Sequence, residues 1–234
     1  MMNQQLSREA AAEFIGTFML ILVGAGSVVL APPGTGAIIP ALAHGLILVA
    51  IIGTYGHISG AHVNPAVSLA MWIGGKNFSS QKLGIYMLAQ FLGSFAACGV
   101  LLIVLPTPGQ LGQTTAVGDV NELDIILVEG LLTFFLVSVI FQAGVYGKGG
   151  VAAPLLIGLT LGACFFLGAP LTGASLNPAR MLGPAILGEE MQDLTEILLY
   201  LVATFGGGAI AAIVHMDTFK PEEDEAAAAR RRKK

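Results

Sequence analysis

The sequence predicts an all-α membrane protein with six transmembrane helices and two re-entrant half-helices, arranged as two inverted repeats. Three observations lead there. Of the 234 residues, 55% are hydrophobic and only 11% charged, and the mean hydropathy is +0.79; lipid is the natural solvent for such a chain. Apolar stretches near the ~20 residues that cross a bilayer occur at about 11–31, 38–56, 83–105, 124–146, 151–170 and 194–215. Finally, the pattern Ser/Thr-Gly-Ala-x-x-Asn-Pro-Ala occurs twice, from Ser59 to Ala66 and from Thr172 to Ala179. By average residue usage, Asn-Pro-Ala alone should arise by chance roughly once in several thousand positions.

The first span starts near the N-terminus, is too long for a signal-peptide core and is read as retained. It opens with Glu13-Phe-Ile-Gly-Thr17-Phe18, and the fourth span carries the same order in Glu129-Gly-Leu-Leu-Thr133-Phe134. Two apolar pieces, about 64–73 and 177–187, are too short to cross and read as re-entrant half-helices. Each half is therefore three spans plus one half-helix, about 8–105 and about 124–217. Three is odd, so the second half inserts upside down relative to the first. A single transmembrane domain over 1–217 is expected, followed by a charged, disordered cytoplasmic tail over 218–234 that ends in Arg230 to Lys234. Cys98 and Cys164 lie within spans and read as buried free thiols. Gly45, Gly158, Gly206, Gly207 and Gly208 read as close helix packing.

Basic residues set the orientation. Arg8, Lys76, Lys82, Lys148, Lys220 and the run from Arg230 to Lys234 all fall on one side if both termini are cytoplasmic. The outward connections carry acids instead: Asp119, Glu122 and Asp124, then Glu189, Glu190, Asp193 and Glu196. Arg180 alone breaks the pattern, directly after the second Asn-Pro-Ala on the outward side. The net charge of −4 sums over opposite faces and says little about partners, and no nucleic-acid partner is expected.

The motif has a physical logic. Proline fits the first turn of a helix, where its missing N–H would have had no partner. Asn64 and Asn177 cap the two helices while keeping amide N–H donors to aim into a pore. Ala66 and Ala179 keep the contact between the half-helices small. Both helix N-termini then place partial positive charge at one point, repelling cations and a hopping proton.

On these residues the chain resembles the major intrinsic protein family of aquaporins and glycerol facilitators. The resemblance covers about residues 8–217 and rests on His57 to Val67, Gly173 to Arg180 and the pair Glu13 and Glu129. It implies a homotetramer with a pore in every protomer, two central asparagines, and an aromatic/arginine constriction nearer the outside. By position that constriction is His44, Phe165, Ala174 and Arg180. Water-selective members often have an aromatic at the first of these positions and a histidine at the second; here the two are exchanged. Met181 stands where glycerol facilitators commonly have aspartate, and Tyr200-Leu201 fits neither subgroup's usual pair. The resemblance also gives Glu13 and Glu129 a bracing role, accepting hydrogen bonds from the irregular peptide before each half-helix. Within that peptide, Gly60, Ala61 and His62, and Gly173, Ala174 and Ser175, are expected to present a ladder of carbonyl oxygens.

The leading expectation is a passive water channel in the plasma membrane, with lipid and water as its partners and with neither cofactor nor metal. A facilitator of glycerol, ammonia or hydrogen peroxide is the alternative, separated by an aperture that sequence does not measure. A coupled secondary transporter also uses inverted repeats and broken helices, but the carboxylates within the spans are Glu13 and Glu129, both of which read as braces. An enzyme is not expected, because the motif offers amide donors without a nucleophile or general base.

Overall fold

The computed structural model describes residues 4–74, 78–107 and 109–221. Lys76 and the charged tail from Glu222 to Lys234 lie outside the described residues. Among the described residues, six helical segments are long and apolar enough to cross a membrane: α1 (Gln4–Leu30), α2 (Ile38–Ser59), α4 (Ser80–Val104), α5 (Glu122–Val139), α6 (Ala153–Thr172) and α8 (Leu194–Asp217). Between them lie two ten-residue helices, α3 (Pro65–Gly74) and α7 (Pro178–Leu187).

Apolar length located the spans, but two features lay beyond it. Helix α1 begins several residues before its apolar stretch because polar side chains support the extra turns. Gln5 Nε2 donates to Glu9 Oε1 at 3.2 Å, and Glu9 pairs with Lys82 Nζ of α4 at 2.8 Å. At its C-terminal end, α5 runs on into a π-helical turn, Ile140–Val145. That wider turn has no signature in a hydropathy pattern. Outside the apolar stretches, helix starts are locally encoded. Asn121 and Asp124 form a capping box on α5, and Asp193 caps α8 by accepting from Thr195 and Glu196 N–H. Those same backbone donors hold the Asp193 carboxyl below the usual aspartate range.

The two halves pack alike. Helix α1 lies on α2 and α4, as α5 lies on α6 and α8; each half-helix reaches the other half's last span in part, with α7 on α4 and α3 on α8. The halves join through α2 and α6, which approach closely at paired glycines. A Cβ on Gly45 would meet Gly158 O at 2.9 Å, and one on Gly158 would meet Gly45 O at 2.6 Å. Gly207 likewise abuts Gly130 O, and a Cβ on Gly208 would meet Ala66 O at 2.9 Å. Gly206 corrects the expectation for the glycine run, since nothing lies within 4 Å of its Cβ position. One helix face cannot turn three successive residues to the same neighbour. Leu42, Leu46, Leu127, Leu131 and Leu159 are exposed, as expected for side chains whose solvent is lipid. Cys98 and Cys164 are buried free thiols.

Candidate functional site

Both half-helices begin at the proline of their motif, and the preceding asparagine does two things at once. Asn64 Oδ1 accepts from Ala66 N at 2.9 Å, and Asn177 Oδ1 accepts from Ala179 N at 2.9 Å and Arg180 N at 3.3 Å. Each side-chain nitrogen also donates across to the opposite loop: Asn64 Nδ2 to Leu176 O and Asn177 Nδ2 to Val63 O, both at 2.8 Å. The amide nitrogen carries two hydrogens, so one N–H of each asparagine remains for another acceptor. The capping was legible in the sequence. The reciprocal crossing, which locks the two helix starts together, required the two loops to be seen face to face.

The peptides leading into these starts are held in an unusual backbone. Gly60, Ala61 and Val63 have φ of 91°, 48° and 44°, and Gly173, Ala174 and Leu176 have 76°, 53° and 52°. Glycine accepts this left-handed region freely. Alanine, leucine and especially β-branched valine do not, at a cost of order 1–3 kcal/mol each. The buried carboxylates offset that cost. Glu13 accepts from Ser59 Oγ at 2.6 Å, His62 N at 2.9 Å, Val63 N at 2.7 Å and Gln90 Nε2 at 2.8 Å. Glu129 accepts from Thr172 Oγ1 at 2.7 Å, Ser175 N at 2.9 Å and Leu176 N at 2.8 Å. Donors converging on a carboxylate are what permits it to be buried.

A second pair of braces escaped the sequence reading. Tyr86 OH donates to Ser59 O at 2.8 Å and Tyr200 OH donates to Thr172 O at 2.6 Å, at matching places in the two repeats. Both tyrosines are fully buried, and a buried phenol seeks a partner; a tyrosine deep in each half's last span was the available signal. Tyr86→Phe and Tyr200→Phe are each expected to lower the unfolding free energy by about 1 kcal/mol. In the double variant the losses should add, because the two phenols share no hydrogen-bond partner. Thermal unfolding in detergent, monitored by circular dichroism, checks this.

A cavity of about 400 Å³ runs past both half-helix starts. Its walls are largely apolar, from Leu20, Leu48, Val67, Leu136 and Leu161, with a polar line from Gly60, Ala61, His62, Asn64, Ser175 and Asn177. Gly173, Ala174 and Phe165 do not line it. The cavity also includes His44 and Arg180, which touch one another. Arg180 is 1% exposed and its Nε donates to His44 Nε2 at 3.2 Å. His44 Nδ1 lies 2.8 Å from Pro40 O. A carbonyl only accepts, so Nδ1 carries the proton and Nε2 offers its lone pair to Arg180, which makes the imidazole neutral. The ring stacks on Phe165 with centroids 4.1 Å apart. Phe165 thus backs His44, while its neighbour Phe166 is 50% exposed. Ala174 is buried close to Gly168. The terminal nitrogens of Arg180 are buried and have no hydrogen-bond partner among the described residues.

The outward connection between α4 and α5 is also part of this end. Gln113 Nε2 donates to Pro184 O at 3.1 Å and Glu190 O at 2.8 Å, Ala116 N to Glu196 Oε1 at 2.8 Å, and Gln192 Nε2 to Thr114 O at 2.8 Å. It presses so closely on the second motif that a Cβ on Gly173 would meet Thr114 Cα at 2.8 Å. In sequence this stretch shows only its acidic residues, Asp119, Glu122 and Asp124.

Comparison with known proteins agrees with this geometry. A family model described as "Major intrinsic protein" matches residues 1–215. The chain is similar to "Probable aquaporin TIP3-2" of Arabidopsis thaliana, 39% identical over 236 residues that cover 93% of this chain and 86% of that protein. It is also similar to "Aquaporin TIP1-2" of Zea mays, 36% identical over 221 residues covering 89% and 85% respectively. In three dimensions it resembles the aquaglyceroporin from Plasmodium falciparum with a TM-score of 0.80, over 92% of this chain and 98% of that one, at 24% identity.

Proposed function

The chain belongs to the major intrinsic protein family, as an integral membrane channel for water or small solutes, and from that premise we propose that its pore selects water. The observation that carries this reading is the fixed position of His44 between the Arg180 guanidinium and the Phe165 ring. A side chain held on two sides makes a constriction of set width, with charge and donors on one wall and an aromatic surface behind the other.

Water reaching the centre accepts from the second N–H of Asn64 and of Asn177. With its oxygen so engaged, its hydrogens point away along the file, and a proton cannot hop through by reorienting that molecule. The paired helix N-termini and Arg180 oppose cations. Gly60, Ala61 and His62 on one side, and Ser175 on the other, supply carbonyl oxygens that replace lost water neighbours; Gly173 and Ala174, off the cavity wall, do not. Glu13 and Glu129 brace this path and do not serve as a proton relay. The channel is passive, catalyses no reaction, forms homotetramers with one pore per protomer, and sits in the plasma membrane with both termini cytoplasmic. Residues 1–217 make up the channel unit and 218–234 its tail.

Stopped-flow light scattering on proteoliposomes tests the selectivity. Shrinkage against an impermeant osmolyte should be much faster than in protein-free liposomes, with no accelerated glycerol uptake. Rapid glycerol uptake by the wild-type protein would replace water selectivity with solute facilitation. His44→Ala is expected to raise glycerol permeability by about tenfold, equivalent to ~1.4 kcal/mol of barrier, while water flux is retained.

A further inference from the structure

We infer that Gly24 of α1 determines the width of the constriction, as the notch in which the His44 imidazole sits. A Cβ on Gly24 would fall 2.6 Å from His44 Cδ2 and 2.9 Å from Cε1, and closer still to Nε2. The atoms opposite this glycine belong to a side chain. At Gly45 and Gly158, by contrast, the opposing atoms include neighbouring backbone, and helix approach explains the glycine. Gly24 lies within α1 and is not among the residues of positive φ, so the backbone does not require it, and glycine in a helix interior costs roughly 0.5–1 kcal/mol relative to alanine. Space for the imidazole accounts for it.

The internal repeat supports the same assignment. Gly24 stands eleven residues after Glu13, and Ile140 stands eleven after Glu129; His44 stands fifteen before Ser59, and Ile157 stands fifteen before Thr172. Ile140 and Ile157 both line the cavity. The α1 position is therefore a pore-wall position, vacated by glycine in one half so that a ring from α2 can lie back against the helix. The ring has little freedom to move elsewhere. Pro40 O holds Nδ1, Arg180 holds Nε2, and Phe165 covers one face. Any atom added at Gly24 drives the imidazole off Arg180 and into the passage. Gly24 is thus a positioning residue for selectivity that contributes no side chain of its own.

This inference rests on the reading of His44 and Arg180 as the selective constriction, and a four-protein comparison separates the two. Wild type, Gly24→Ala, His44→Ala and the double variant are reconstituted at measured protein density, and water and glycerol permeabilities are recorded. With His44 present, Gly24→Ala should lower water permeability by about tenfold, the effect of ~1.4 kcal/mol of added barrier from overpacking. In the His44→Ala background the same change should alter it by less than about twofold, because the displaced ring is gone. Equal losses in both backgrounds, as general misfolding of α1 would give, overturn the assignment; so does no loss with His44 present. If His44→Ala alone leaves both permeabilities at wild-type values, the constriction reading fails and the Gly24 assignment fails with it.

Discussion

Arg180→Val is expected to raise glycerol permeability by about a hundredfold, equivalent to ~2.7 kcal/mol of barrier, and to raise proton leak above the wild-type level. Valine is the informative replacement because Val67 occupies the equivalent place in the first repeat, three residues after Asn64, and also lines the cavity. The substitution removes three things together. It deletes a fixed charge from a low-dielectric passage, where an isolated ion faces its largest desolvation penalty. It frees His44 Nε2 from its donor at 3.2 Å, and it opens the volume of the guanidinium. Glycerol uptake by light scattering and proton leak with an entrapped pH-sensitive dye measure the outcomes separately. Unchanged glycerol exclusion would move the selective element to another part of the pore.

Glu129→Ala is expected to cost a large part of the protein's stability. It strands Ser175 N–H and Leu176 N–H in the interior and leaves the Thr172 hydroxyl only its longer bond to Gly168 O at 3.3 Å. Each orphaned donor costs about 1–3 kcal/mol, and the left-handed Ala174 and Leu176 lose the group that offsets their strain. The combined penalty is comparable with the whole stability of a folded domain, about 5–15 kcal/mol. Little folded protein should survive detergent extraction, as judged by size-exclusion chromatography. Glu129→Gln keeps the shape and one acceptor oxygen, so it should fold with lowered thermal stability. That variant also distinguishes brace from relay. A brace predicts water flux with protons still excluded, whereas ion-driven transport in the wild type that Glu129→Gln abolishes would establish a proton relay.

The legible parts of this molecule share a cause. Spans and half-helices could be read because lipid imposes a length on every apolar segment, and the half-helix starts could be read because Asn-Pro carries its own capping chemistry. The π turn at Ile140–Val145 and the polar opening of α1 were not legible: one is a change of helical hydrogen bonding with no compositional mark, and the other depends on Lys82 of a different helix. The same division runs through the site. Glu13 and Glu129 stood out as carboxylates in apolar sequence, where charge is costly. Tyr86, Tyr200 and Gly24 did not, since a tyrosine or glycine within a span is ordinary until its neighbour is known. Gly206 was read as packing on composition alone, and its surroundings are open.

Hydropathy, charge asymmetry and capping are properties of short stretches of chain, so the class of solvent, the duplicated plan and the residues of the two motifs could be read from local sequence. What those residues meet depends on the folded arrangement of the helices. His44, Phe165 and Arg180 come from α2, α6 and α7, and their contacts at 3.2 Å and 4.1 Å depend on how closely α2 can approach α1 and α6. Helix spacing is set by side chains and missing side chains distributed over the whole fold, so the width of the pore is a sum over many contacts that no single segment records.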